Sequence, residues 1–359
     1  MSTALKSEQV VFHAATPLKQ AARPSVSVII PCYNEERFIS QALENLADQY
    51  DREDYELVVV DGMSNDRTRE LVAEFKRAHP DLAVKLLDNP ARNIPHALNL
   101  GIAAAGGEII ARMDAHAAPS AGYVRRCVAV LSESDATVVG MPCRVQPGGA
   151  GMVARAIAMA VSHPFGIGDA KYRLGSKPDE RVIQENVDTV AFACFRKSTW
   201  RELGGFDEQL LTNEDYDFNY RVRARGDRVV LDGSAHCDYF ARATFAMLGA
   251  QYSRYGVWKA RMIRRRPRST RLRQLVAPVL VVSIVLLMAL GFWRPAFWAL
   301  LATELAVYLV AAFAFALAVT RKQHAGLSLA PAVALAFFTI HFSWGSSFCW
   351  GLATPTGKK

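Results

Sequence analysis

The 359 residues leave room for one large α/β domain with additions, and 51% hydrophobic against 21% charged residues would suit a soluble enzyme. Nearly all the charge lies before Arg273, however, and the apolar remainder excludes one uniform globule in favour of a soluble body with a membrane tail. The net charge of +8 is concentrated too: nine Lys or Arg and no Asp or Glu fall between Arg254 and Arg273, a block suited to anionic lipid headgroups and, with no nucleic-acid motif beside it, not to nucleic acid.

Residues 1–24 are mixed and polar, read as a flexible arm without an apolar signal region, which predicts a catalytic body in the cytoplasm. The run 26–31 (VSVIIP) predicts a buried parallel strand. Asn34 is the expected cap of the next helix, with Glu35 and Glu36 in its first turn. Strands follow at 56–61 (ELVVVD), 84–87 and 108–113 (EIIARM), separated by helices at 67–77 and 94–104. This alternation predicts a mostly parallel sheet with helices on both faces, and such sheets bind ligands at the carboxyl ends of their strands. Tyr33-Asn34-Glu35, Asp61 and Asp114-Ala115-His116 all stand at such ends. Further on come a helix at 123–131, a strand at 137–141, an apolar helix at 152–161, a Gly-rich loop at 166–179, a strand at 189–195 and a helix at 214–225. Six cysteines without a C-x-x-C pair read as free thiols in a reducing compartment.

The expected organisation is a catalytic domain over 25–245, divided at 118/119, then a basic interfacial region over 246–273 and three transmembrane helices over 274–353. The apolar segments are 275–293, 296–320, interrupted only by Glu304, and 327–352, interrupted only by His341. Trp293, Trp298, Trp344 and Trp350 stand near segment ends, as interfacial anchors do, and Gly345, Ser346 and Gly351 permit close helix packing. Arg321 and Lys322 join the basic block on the cytoplasmic side. Three crossings then put Lys358 and Lys359 outside, against the same trend, with a re-entrant third segment as the alternative.

Three clusters carry chemistry. Asp114 and His116, two residues apart after a buried strand, can present an oxygen and a nitrogen to Mg²⁺ or Mn²⁺ from one turn, with a diphosphate completing the shell. Asn213-Glu214-Asp215-Tyr216-Asp217 sets three carboxylates at a helix start, with Asp215 the candidate general base and Glu214 its competitor; helix capping alone would also explain acids there. Asp61 can hydrogen-bond a base or ribose, Tyr33 can stack and Arg92 can reach a diphosphate.

PSVSVIIPCYNEERFI, ELVVVDGMSNDRT, NIPHALNLGIAAAGGEIIARMDAH and GGFDEQLLTNEDYDFNYRVRARG, in this order, resemble the family 2 glycosyltransferases, most closely those of succinoglycan-type exopolysaccharide synthesis. The resemblance implies a GT-A fold and an inverting transfer from a UDP-sugar. It places Pro31, Tyr33, Glu35 and Asp61 around uridine, Asp114 and His116 on the metal, and Asp215 as base. His116 stands where the family has a second acid. Gln251-Tyr-Ser-Arg254-Tyr255 stands where processive members carry Q-x-x-R-W, and the Tyr implies addition of single sugars. The expected acceptor is a lipid-linked saccharide at a bacterial inner membrane; a polyprenyl-phosphate sugar synthase and an inactive scaffold are the rival expectations.

Overall fold

A computed structural model describes residues 26–174 and 184–354; the expected arm, the end of the 166–179 loop and Lys358 and Lys359 lie outside the described residues. The chain runs β1 (Val26–Cys32), α1 (Ile39–Ala47), β2 (Tyr55–Asp61), α2 (Thr68–Ala78), β3 (Ala83–Asp88), α3 (Ile94–Ala104) and β4 (Ile109–Arg112). It continues through β5 (Ala118–Pro119), α4 (Tyr123–Glu133), β6 (Ala136–Gly140), β7 (Cys143–Gln146), α5 (Met152–Val161), α6 (Pro164–Ile167) and α7 (Lys171–Leu174). Then come β8 (Gln184–Asn186), β9 (Cys194–Arg196), α8 (Lys197–Glu202), α9 (Glu214–Ala224), β10 (Arg228–Asp232) and β11 (Cys237–Phe240). The last helices are α10 (Phe245–Arg265), α11 (Val276–Gly291), α12 (Ala296–Lys322) and α13 (Ala330–Ala353).

The main sheet has the order β3-β2-β1-β4-β9-β6-β10-β8, and β5-β11-β7 form a smaller one. β1, β2, β3 and β4 pair in parallel, as their unbroken apolar runs predict. Strand alternation sends Val28 and Ile30 toward α1, α2 and α4, and Ile29 toward α3 and α9, so each face of the sheet carries its own core. The expected strand at 189–195 is instead the short β9, antiparallel to both β4 and β6. Its lead-in leaves the ladder because the buried Thr189 and Val190 serve α9: Asn219 Nδ2 donates to Thr189 Oγ1 at 2.9 Å and to the Val190 carbonyl at 3.1 Å.

Three C-terminal helical segments are long and apolar enough to cross a membrane: Leu272–Gly291, Ala296–Lys322 and Leu327–Ala353. They are not appended loosely. α5 packs its Ala156, Ile157 and Ala160 against Ala316, Val333 and Phe337 of α12 and α13. Phe165 stacks on Phe315 with ring centres 4.7 Å apart, and its carbonyl lies 2.8 Å from His341 Nε2. The expected loop from 166 is therefore partly helical and wedged between the catalytic body and the tail.

Candidate active site

Strand order reverses between β1 and β4, the topological switch point where open α/β sheets form a crevice. The β1–α1 loop lies there. Asn34 does not cap α1: it takes a left-handed conformation (φ 55°), tolerable for Asn, and α1 starts only at Ile39. Asn34 instead stitches the loop to the turn after β2, its N–H donating to Ser64 Oγ at 2.8 Å and its Oδ1 accepting from the Asn65 N–H at 3.0 Å. Glu35 Oε1 then lies 3.1 Å from His116 Nδ1, and this partner raises the imidazole's pKa above its ordinary value. The Ala117 N–H closes a turn onto the Asp114 carbonyl at 2.9 Å, so Asp114 and His116 leave the end of β4 together.

The expected nucleotide residues form a rim beside this crevice. Tyr33 is exposed, and the Arg92 guanidinium lies 5.9 Å from its ring centre. Asp61 is fully buried and accepts from the Ser64 N–H and hydroxyl and from Arg69 Nη1 at 2.7 Å; Arg69 also reaches Asp88. Asp61 thus shapes its own turn and presents Arg69 to the rim. Pro31 is buried within β1, in register with Val60.

Across the crevice, the acids of α9 separate by partner. Asp217 is buried and held by Arg221 and Arg266. Glu214 is buried and accepts from Arg112 Nη1 at 2.9 Å, while Arg112 Nε lies 3.2 Å from Asp114 Oδ1. Asp215 forms no ion pair among the described residues; its Oδ1 accepts from the Tyr216 N–H at 2.7 Å, and it faces a cavity. Burial pushes the Glu214 carboxyl up to about 7, Arg112 opposing and the charges of Asp215 and Asp114 adding to the rise. Burial alone would lower the Arg112 pKa, but Asp114, Glu214 and Asp215 hold it above its usual value. One guanidinium therefore joins the β4 turn to the start of α9. Sequence reasoning passed over Arg112, although an Arg inside the apolar run EIIARM signals a buried charge in need of partners.

The cavity, about 860 Å³, is lined at one end by Asp114, His116, Glu214 and Asp215 and at the other by Leu280, Val307 and Ile340 of the tail. Arg173, Arg254 and Arg273 line it as well. The Arg173 guanidinium lies 4.9 Å from the Tyr239 ring centre. Gln251 Nε2 donates to Tyr239 Oη and Tyr255 Oη, at 3.0 and 3.1 Å. Glu304 is on the lining; its Oε1 accepts from the Ser283 hydroxyl, while its Oε2 is buried without a hydrogen-bond partner among the described residues. Trp344, expected as an interfacial anchor, lines the cavity too and donates to the Gln274 carbonyl at 3.1 Å.

Part of the basic block is engaged within the protein. Arg265 pairs with Asp207, Arg266 with Asp217, and Arg273 with Asp169 and Asp188. Lys259 is buried with Nζ 3.7 Å from the Tyr216 ring centre. The three arginines are spent joining this region to acids of the catalytic body, because paired charges can be buried where single ones cannot. The cysteines are free, and all but Cys349 are buried, as expected.

Among the described residues no group of three or more His, Cys, Asp or Glu gathers as a metal cage. Asp114 and His116, one carboxylate and one imidazole on a single turn opening to the cavity, fit a cation whose other positions are filled by substrate oxygens and water.

Comparison with known proteins agrees with the fold. Residues 27–198 match the model of "Glycosyl transferase family 2". The succinoglycan biosynthesis protein ExoA of Rhizobium meliloti is 28% identical over 89% of this chain and 93% of its own length. A dolichyl N-acetyl-α-D-glucosaminyl phosphate 3-β-D-2,3-diacetamido-2,3-dideoxy-β-D-glucuronosyltransferase of Methanococcus voltae is 25% identical over 67% of this chain and 74% of its own length. The solved mannosyltransferase PcManGT of Pyrobaculum calidifontis shares the fold, with a TM-score of 0.59 at 24% identity, over 89% of this chain and 88% of that one. The chain therefore matches the family 2 glycosyltransferase model over residues 27–198, on a GT-A-like α/β fold followed by three long apolar helices.

Proposed function

We propose that the protein is an inverting glycosyltransferase that moves a sugar from a UDP-sugar to a lipid-linked saccharide at the cytoplasmic face of a bacterial inner membrane, with a divalent cation on Asp114 and His116. The observation that carries this reading is the single cavity shared by the polar crevice and the apolar helices: acids that suit sugar transfer stand at one end, and side chains that suit a lipid stand at the other. A relative named for transfer to a dolichyl-phosphate sugar supports this class of acceptor, and one named for succinoglycan biosynthesis supports a role in polysaccharide synthesis.

In this mechanism the rim formed by Tyr33, Glu35 and Arg92 receives the uridine and ribose, with Arg69 presented to it by the buried Asp61 and with Pro31 packed behind it. Arg112 fixes the Asp114 carboxylate and Glu214 relative to each other, so the donor's diphosphate meets a rigid site. Asp215 takes the proton of the acceptor hydroxyl, whose oxygen attacks the anomeric carbon as the UDP oxygen departs from the opposite side, inverting configuration. When bound, the cation supplies positive charge against the leaving diphosphate. Glu214 is held by Arg112 and acts as a positioning group. A carboxylate without an ion pair at the crevice favours a hydroxyl acceptor over a lipid phosphate, which needs no base. Arg173 and Arg254, which line the same cavity, suit the phosphates of the acceptor lipid.

The test is a screen of nucleotide sugars with purified protein and extracted lipid-linked saccharides, with and without EDTA. The expected result is lipid-dependent release of UDP that EDTA abolishes. Sugar transfer to a water-soluble acceptor alone, at the same rate with EDTA, would contradict the reading.

A further inference from the structure

α13 passes every test of length and apolar composition for a membrane span, yet its neighbours do not allow it to be one. Its partner along its whole length is α10. Gly249 faces Thr339 and Ser343, Gly256 faces Trp344 and Ser347, and Gly351 faces Val257 and Ala260. The two helices therefore run side by side in the same direction. The approach is close: a Cβ on Gly256 would stand 2.6 Å from the Trp344 carbonyl oxygen.

α10 is bound to the catalytic body at both ends. It leaves β11 through Ala241, whose N–H donates to the Gln146 carbonyl at 2.9 Å. It finishes with Met262 packed on Leu210 and Tyr216, Arg265 on Asp207 and Arg266 on the buried Asp217. Along the way it carries Arg254, Lys259, Arg261 and Arg264, charges that are costly in hydrocarbon. The ends of α13 are tied to the same body. Ala330 and Val333 pack with α5 and Leu248, and at the far end Arg264 donates to the carbonyls of Leu352 and Thr354. A helix that crosses about 30 Å of hydrocarbon must have its ends on opposite sides. α13 has both on one.

We infer that the chain crosses the membrane twice, through the α11–α12 hairpin, and that α13 lies against α10 as an in-plane helix whose free face meets the acyl chains of the leaflet next to the catalytic domain. The exposed apolar residues of α13, Leu335, Phe338, Trp350 and Leu352, follow one another along the face away from Val333, Phe337, Ile340 and Phe348. The inner face of α13 is occupied by α10, α5 and α12, so only its outer apolar face is left for lipid. The surface continues into the exposed faces of α11 (Val279, Val282, Leu286) and α12 (Leu300, Val307, Val310), so one occupant, lipid, covers all three. Thr354, the last described residue, then stands on the same side as Arg321 and Lys322, in keeping with the positive-inside trend. The inference rests on α11 and α12 being membrane spans.

Single cysteines in a Cys349→Ser background test it, labelled with a membrane-impermeant maleimide in intact spheroplasts and in inverted vesicles. Lys76→Cys marks the catalytic domain, Arg294→Cys the tip of the hairpin and Lys359→Cys the C-terminus. The expected result is that Lys359→Cys and Lys76→Cys label from one side and Arg294→Cys from the other. Lys359→Cys labelling with Arg294→Cys, opposite Lys76→Cys, would overturn the in-plane helix and restore a third crossing. Labelling of all three from one side would overturn the crossing hairpin itself, a failure distinct from the first and one that would also remove the membrane-spanning tail from the proposed function.

Discussion

Asp215→Asn is expected to lower kcat by about 10²- to 10⁴-fold while leaving UDP binding unchanged, the range found when a positioned general base is removed. The residue is singled out by its partners. Asp217 is buried and doubly paired, Glu214 is buried against Arg112, and Asp215 alone of the three faces the cavity without an ion pair among the described residues. Asn keeps the volume and an oxygen able to accept the Tyr216 N–H, so the start of α9 should survive. What is lost is the capacity to take a proton, and with it the attack by a neutral hydroxyl. Transfer assays beside a UDP binding isotherm separate the two effects. Unreduced turnover on a hydroxyl acceptor would remove Asp215 from the role of base.

Arg112→Met should be the most destabilising single change near the site, costing about 3–5 kcal/mol, because it leaves a carboxylate buried without its counter-charge. The Arg112 side chain is only 10% exposed and bridges Asp114 and Glu214, whose backbones belong to different halves of the domain. Without it, Glu214 retains the burial and the neighbouring charges of Asp215 and Asp114 that already lift its pKa, and loses the larger of the pulls in the other direction. The double variant Arg112→Met, Glu214→Gln removes the stranded charge and should recover much of the thermal midpoint but not the activity, since Asp114 is still unheld. Thermal unfolding in detergent and transfer rates, measured on the two single variants and the double, check both parts. Equal midpoints for wild type and Arg112→Met would show that the bridge contributes nothing.

Much of the donor half was legible because its strands are unbroken apolar runs and its acids fall where those runs end: Val26–Cys32 and Tyr55–Asp61 differ from the expected strands by a residue at one end. Asn34 was misread because the same short polar side chain that caps helices also tolerates a left-handed backbone and bridges loops, and only the partner turn at Ser64 and Asn65 decides between them. The acceptor half was harder. β8 and β9 are three residues each, too short for a period of two to show, and β9 is fixed by antiparallel neighbours from distant parts of the chain. The basic block carried a true signal with an incomplete meaning. Composition shows cations beside an apolar tail, but Asp188, Asp207 and Asp217, their partners, lie far upstream and become neighbours only through the fold. Apolar length likewise could not tell α13 from α11 and α12, since what distinguishes it is the helix beside it.

The account turns on whether the β4 turn and the start of α9 close around one diphosphate at the mouth of the lipid-facing cavity. A density map of the full chain in lipid nanodiscs with UDP and Mn²⁺ tests this most directly. The expected map shows uridine at Tyr33, the diphosphate and cation at Asp114 and His116, and Asp215 facing them across the opening that leads toward α11 and α12. Nucleotide density elsewhere on the domain, with the Arg112 crevice empty, would contradict it.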